Sequence, residues 1–204
     1  MADPNSSDFW DTLYKSNNFH WDLGGPTPVF QQLVARAVLE PGKLLVLGAG
    51  QGHDARLFAQ GGFEVTAVDF SVEAARSMRQ FEDPDFPVEI VQADFFSLPP
   101  TWNGRYDYVL DYTSFCAILP QRRSEYADLV ARLLKPGGQY IILAFPIGWR
   151  SGGPPYVVQP QAIIELFAER GFILQLHEIP SISAVGRAGH EELLILEKSA
   201  RKAT

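Results

Sequence analysis

Two apolar runs frame a glycine-studded turn. Leu44-Leu45-Val46-Leu47 leads into Gly48-Ala49-Gly50-Gln51-Gly52, and Phe63-Glu64-Val65-Thr66-Ala67-Val68 ends on Asp69. A short, continuous apolar run reads as a central parallel strand covered on both faces. Glycine directly after such a strand permits left-handed backbone and lets a ligand approach the main chain. Asp69 lies 21 residues after Gly48, close to the ~20-residue offset at which an acidic side chain meets ribose hydroxyls. Strand, glycine turn, helix, strand, carboxylate is the order of a nucleotide-type α/β sheet.

The glycine spacing narrows the ligand. A dinucleotide fold places its third glycine three residues after the second, where this chain has His53. Glycines at alternate positions suit a ligand with a carboxylate, a sulfonium and an adenosine but no pyrophosphate, so the loop predicts S-adenosylmethionine, with S-adenosylhomocysteine as product. A helix starting near His53 would offer N–H groups and a positive dipole end to the carboxylate. Glycines 48, 50 and 52 are expected to give the ligand close approach. Asp69 is expected to hold the ribose, with little part in the fold.

The rest of the chain continues the alternation. A helix capped by Ser7 or Asp8 carries Trp10, Leu13 and Tyr14 on one face. After a punctuated loop from His20 to Pro28 comes a helix with Val29, Phe30, Leu33, Val34 and Val38 directed inward. Helices are predicted over His53–Gln60, from Ser71 to about Gln80, from about Arg122 to Leu134, and around Ile163, Ile164, Leu166 and Phe167. Strands are predicted at Val88–Val91, Tyr106–Asp111 and Gln139–Phe145, and the final runs Phe172–Leu176 and Leu193–Leu196 are expected to pair. Alternating βαβ units imply a parallel sheet with right-handed crossovers. Ligands of such sheets bind beyond the strands' carboxyl ends. Gly48, Asp69, Asp94 and Tyr112 all sit at predicted strand ends and are expected on one rim. Asp94 offers an acceptor to the adenine amino group, and Phe70 or Phe95 would flank the ring.

Composition excludes other classes. A net charge of -7, with no Lys/Arg run longer than Arg122-Arg123, argues against a nucleic-acid partner. No apolar run approaches the ~20 residues needed to span a bilayer, and the first residues carry no secretory signal. A single cysteine, Cys116, excludes an internal disulfide and fits a reducing cytoplasm; it lies in an apolar stretch and is expected to be buried. The four histidines, His20, His53, His177 and His190, lack metal-ligand spacing, so no metal is expected. The expectation is a cytoplasmic monomer whose partner is a small-molecule methyl acceptor, with no nucleic acid and no membrane.

Several further motifs carry a resemblance: Trp10-x3-Tyr14-x6-Trp21-Asp22, Leu47-Gly48-Ala49-Gly50-Gln51-Gly52-His53-Asp54, Ala93-Asp94-Phe95-Phe96, Asp111-Tyr112-Thr113-Ser114-Phe115-Cys116-Ala117-Ile118, and Gly152-Gly153-Pro154-Pro155-Tyr156. Over roughly residues 8 to 198 the chain resembles the class I S-adenosylmethionine-dependent methyltransferases, and more closely the thiopurine and thiol/halide methyltransferase family. The resemblance implies a single-domain, Rossmann-like fold with a seven-stranded, mostly parallel sheet and helices on both faces, residues 26–204 forming the methyltransferase domain; residues 1–25 are expected to form an N-terminal lid, and residues 8–25 and 146–156, both Gly/Pro-rich and beside the rim, to be its mobile parts. It implies that Trp10, Tyr14 and Trp21 cover the cofactor and that Gly48, Asp69, Asp94, Phe95 and Tyr112 contact it. Phe145, Tyr156 and Arg150 are candidates for the acceptor. Plant members of that family carry tryptophan at all three aromatic positions, so Tyr14 departs from the pattern, and halide-active ones have tyrosine where Phe145 stands.

No Ser-His-Asp or metal machinery is needed for this chemistry, so no catalytic residue is singled out. Arg187 is expected to be solvated, though it too could draw an anionic acceptor. Two competing readings are a cofactor-binding protein without catalysis, which the Phe145 substitution favours, and a nicotinamide oxidoreductase, which the glycine spacing disfavours.

Overall fold

The computed structural model describes residues 3–148 and 151–200. The chain packs as two compact units, Met1–Leu98 and Pro99–Thr204. The first carries α1 (Ser7–Lys15), α2 (Pro28–Ala35), β1 (Lys43–Leu47), α3 (His53–Gln60), β2 (Glu64–Asp69), α4 (Val72–Gln80) and β3 (Val88–Gln92). The second carries β4 (Tyr106–Tyr112), α5 (Arg123–Leu133), β5 (Leu134–Ala144), α6 (Pro160–Ala168), β6 (Phe172–Glu178) and β7 (Glu192–Lys198). The strands form a seven-stranded sheet in the order β3-β2-β1-β4-β5-β7-β6.

In the first unit β1, β2 and β3 run parallel, with Leu44 opposite Val65 and Val68 opposite Val91. Leu44, Leu45 and Leu47 are wholly buried, which is why their run shows no polar alternation. Phe30 of α2 and Phe58 of α3 meet at 6.1 Å, and Phe63 joins Phe58 at 5.2 Å. Each such fully buried side chain stabilises the fold by about 1.5–3 kcal/mol.

In the second unit β4 and β5 pair in parallel, while β7 runs antiparallel to both β5 and β6. Its core is aromatic: Tyr140 stacks on Phe167 at 4.5 Å, and Phe172 meets Phe167 edge-on at 5.2 Å.

Three details differ from the sequence reading. The cap of α1 is Ser6, whose hydroxyl accepts from the Asp8 N–H, not Ser7 or Asp8. Helix α2 stops at Ala35 and Ala37 turns left-handed at φ 48, so Val38 leaves the apolar face and is 51% exposed. Strand β5 begins at Leu134 instead of Gln139. Tyr106 pairs with Leu134 and Tyr108 with Gln139, so Lys135 to Gly138 are taken up in a bulge. A Cβ on Gly138 would lie 3.0 Å from the carbonyl oxygens of Asp107 and Lys135, so glycine is needed there.

Candidate active site

The glycine loop leaves β1 and is stitched to the neighbouring strand ends. The Ala49 N–H donates to the Val68 carbonyl, and beyond β3 the Ala93 N–H donates to the Asp69 carbonyl, both at 3.0 Å. Gly48, Gly50 and Gly52 all adopt positive φ, at 64, 56 and 74°. L-residues rarely hold that region, so the alternate glycines are a backbone requirement. A Cβ on Gly52 would lie 2.7 Å from Cγ of Met78, which seats the start of α3 against α4.

Asp69 is the loop's counterpart. Its carboxylate is 8% exposed and accepts from the Gly50 and Ser71 N–H groups at 2.9 Å each. Burial pushes the carboxyl up to about 6, while the Ser71 and Gly50 N–H groups pull the other way. These bonds, with a further pull from the Phe70 N–H, still leave acceptor capacity on a carboxylate, which offers about four lone-pair sites. Asp69 therefore does more for the fold than the sequence implied: it ties the glycine loop to the β2–α4 turn.

An aromatic group from the N-terminal segment accompanies the loop. Trp10 meets Trp21 edge-on at 5.3 Å, Tyr14 meets Trp21 at 5.5 Å, and Phe19 lies 5.2 Å from Tyr14. The Tyr14 hydroxyl sits 3.2 Å from where a Gly50 Cβ would stand. Burial, followed by the Asp69 charge, raises its pKa, so it remains a neutral phenol. Three carboxylates anchor this segment. Asp11 accepts from the Ser71 hydroxyl at 2.5 Å and the Glu73 N–H at 3.2 Å. Asp22 lies 3.4 Å from Nε2 of His53; burial raises its pKa, but bonds from His53, the Gly24 N–H and Gln51 outweigh it and the net shift is downward. Asp54 accepts from the Thr27 N–H and hydroxyl at 2.7 and 2.8 Å, and burial raises its pKa.

Past β3, Asp94 is exposed and caps the turn Phe95–Ser97 by accepting from the Phe96 N–H at 2.9 Å. Phe95 and Phe96 lie 4.8 Å apart, and Phe70 is half-buried.

The second unit holds a separate polar cluster. Tyr112 closes β4, and the next residue, Thr113, is left-handed at φ 65, a conformation that local bonding must sustain. Buried Asp111 supplies it, accepting from the Ser114 and Phe115 N–H groups, from the Tyr140 hydroxyl at 3.2 Å, and from the Tyr126 hydroxyl. The Tyr112 hydroxyl donates to Oε2 of Glu191 at 2.9 Å and accepts from Nη1 of Arg187. Burial raises the Tyr112 pKa, against the pull of Arg187. The Arg187 guanidinium lies 4.6 Å from the Phe145 ring centroid and 5.0 Å from that of Tyr112. Arg187 is 7% exposed and Glu191 1%. Tyr156 packs its ring on Gly153, where a Cβ would come within 2.5 Å, and its N–H donates to the Cys116 carbonyl at 2.7 Å. Burial pushes the Cys116 thiol up to about 12, leaving it inert.

A profile of the thiopurine S-methyltransferase family matches residues 5–193. The chain belongs to that family. It is 38% identical to a probable thiol methyltransferase 2 of Arabidopsis thaliana, over 98% of this chain and 88% of the relative. A thiocyanate methyltransferase 1 of Brassica oleracea is 33% identical over 90% of this chain and 82% of the relative. A thiopurine S-methyltransferase of Vibrio campbellii is 30% identical over 78% and 81%. In fold, the chain matches the Burkholderia thailandensis 1,6-didemethyltoxoflavin-N1-methyltransferase, solved with S-adenosylhomocysteine, at a TM-score of 0.72, 21% identity and coverage of 98% and 92%. The magnesium protoporphyrin IX methyltransferase of Synechocystis PCC 6803, solved with S-adenosylmethionine, matches at a TM-score of 0.71, 17% identity and coverage of 98% and 99%. As a member of this family the protein is an S-adenosylmethionine-dependent methyltransferase.

The glycine loop fits that cofactor: left-handed glycines strip Cβ atoms from its face, and Asp69 keeps acceptor capacity beside it. Within the first unit the structure brings Gly50, Asp69 and Tyr14 together, with Trp10 and Trp21 beside Tyr14. Tyr112 is joined to Phe145 and to Arg187, which is buried and not solvated. Arg150 lies outside the described residues. Asp11 and Glu191 were missed, because single carboxylates in an acidic chain carry no local signal and their partners lie 60 and 79 positions away. No helix among the described residues is long and apolar enough to cross a membrane.

Proposed function

We propose that the protein transfers the methyl group of S-adenosylmethionine to a small, soft nucleophile such as a thiol, bisulfide, halide or thiopurine, acting in the cytoplasm as a monomer. Gly48, Gly50, Gly52, Asp69, Phe70, Asp94 and Phe95 hold the cofactor, and Trp10, Tyr14 and Trp21 cover it. In the second unit we assign Tyr112, Arg187, Phe145 and Tyr156 to the acceptor. The observation that carries this assignment is the buried guanidinium of Arg187 lying over the Phe145 and Tyr112 rings, a cation in aromatic surroundings that suits a polarisable anion.

Methyl transfer from a sulfonium to an anion destroys charge as the transition state forms. A dry, aromatic environment that removes water from the nucleophile therefore favours reaction. Aromatic faces also attract the sulfonium, by ~0.5–2 kcal/mol per good contact. In-line alignment supplies most of the remainder. A free thiol of pKa ~8.5 is already a few per cent thiolate near neutrality.

The test is turnover. Purified protein with S-adenosylmethionine and a panel of thiols, bisulfide, thiocyanate, iodide and thiopurines should release S-adenosylhomocysteine with at least one of them. Binding of the cofactor without turnover on any soft acceptor would overturn the proposal.

A further inference from the structure

Glu191 is a buried acid that the methyl-transfer scheme leaves unused. Its Oε2 accepts a hydrogen bond from the Tyr112 hydroxyl, but its Oε1 is buried with no hydrogen-bond partner. Buried polar atoms are almost always bonded, and an orphaned one calls for an explanation. Arg187 engages the Tyr112 oxygen and spans the Phe145 and Tyr112 rings, so the open carboxylate oxygen belongs to the cluster assigned above to the acceptor. Further charged or titratable groups accompany it. His190 and Glu192 flank it in sequence, with Glu192 paired to His177 of β6 at 2.5 Å, and Cys116 is within electrostatic reach of Arg187.

We infer that Oε1 of Glu191 accepts the proton of a thiol-type acceptor as its sulfur is methylated. The inference rests on the S-methyl transfer proposed above and names the acceptor class: sulfur nucleophiles that arrive carrying a proton. A sulfur lone pair forms the bond to the methyl carbon, and the carbon–sulfonium bond of S-adenosylmethionine breaks with its electron pair going to the departing sulfur. The acceptor's S–H proton passes to Glu191, which later returns it to water. A neutral thiol becomes a strong acid as its lone pair is committed to carbon, so a carboxylate is basic enough to take the proton in the transition state. The Tyr112 bond holds the carboxylate in place, and Arg187 offsets its charge so that an electron-rich sulfur can approach.

The experiment compares a thiol with iodide, which has no proton, across pH, in the wild type and in Glu191→Gln, with S-adenosylhomocysteine affinity and melting temperature read on the same samples. Wild-type thiol kcat/KM is expected to stay level from about neutrality up to the thiol's own pKa. In Glu191→Gln it should fall by about 100-fold near neutrality and recover as pH rises through ~8.5. Iodide turnover should fall far less, and S-adenosylhomocysteine affinity should stay within about twofold of the wild type. Where iodide is not accepted, the recovery with pH decides alone. A wild-type thiol rate that climbs tenfold per pH unit would mean that the enzyme only selects thiolate, and would overturn the inference even if the variant fails to fold. Equal losses on both acceptors, or an unchanged profile, would also overturn it. If the wild type turns over no soft nucleophile, the S-methyl transfer reading fails first and this inference falls with it.

Discussion

Cofactor affinity should weaken in acid because of Asp69. Burial moves its carboxyl from an ordinary 3.8 up to about 6. Since the folded pKa lies above the unfolded one, the folded state without cofactor binds the proton more tightly. The resulting stabilisation is complete below about pH 4 and is lost as pH rises through about 6; at about 1.4 kcal/mol per pH unit it amounts to roughly 3 kcal/mol. Ribose hydroxyls donating to the carboxylate favour the ionised form, so binding below that pKa must displace a proton. S-adenosylhomocysteine affinity should therefore be level above about pH 7 and fall by up to about tenfold per pH unit below about 6. Asp69→Asn should remove this dependence. It should also bind the ligand more weakly by one to two orders of magnitude at neutral pH, matching the ~1.5–3 kcal/mol of a hydrogen bond to a charged group. Calorimetric titration from about pH 5 to about pH 8 on both proteins is the assay. A wild-type affinity that is level throughout, or an equal slope in Asp69→Asn, would refute the ribose role of Asp69.

Three further perturbations probe the surroundings. Asp111→Ala strands the donors of Tyr126, Tyr140, Ser114 and Phe115 and should cost about 3–5 kcal/mol in urea unfolding; a loss below about 1 kcal/mol would contradict the buried network. Gly52→Ala and Gly24→Ala form a matched pair, both at positive φ, but only Gly52 has a neighbour within 4 Å of the added Cβ. Both should lose about 1–2 kcal/mol to backbone strain, and Gly52→Ala a further 1–3 kcal/mol or so by overlap with Met78; equal melting temperatures would count against that packing. Arg187→Met should raise the acceptor KM about tenfold or more while leaving S-adenosylhomocysteine affinity unchanged, and the reverse pattern would remove Arg187 from the acceptor group.

The parts of this fold that sequence revealed are those set by local chemistry. The span of α3, His53–Gln60, lies between Gly52, which must turn left-handed, and Gly61-Gly62, which stops the helix. Ser71 caps α4 through its own hydroxyl, and the apolar runs of β1 and β2 report burial on both faces. What stayed hidden was set by partners distant in sequence. Asp11 looks like any acid on a helix surface until Ser71, 60 residues on, donates to it. Arg187 reads as a surface cation because its burial depends on Tyr112 and Phe145. Val38 fits the helical period of α2, and only the left-handed turn at Ala37 shows that the helix has already ended. Lys135-Pro136-Gly137-Gly138 has the composition of a loop, yet β5 absorbs it as a bulge where β4 leaves room.

The most direct test of the whole account follows a labelled methyl group. With S-adenosylmethionine trideuterated at its methyl, and a thiol or bisulfide as acceptor, mass spectrometry should find the intact CD3 group on the acceptor sulfur, with S-adenosylhomocysteine formed in equal amount. Cofactor that binds tightly but returns unchanged with every sulfur, selenium and halide nucleophile offered would contradict it.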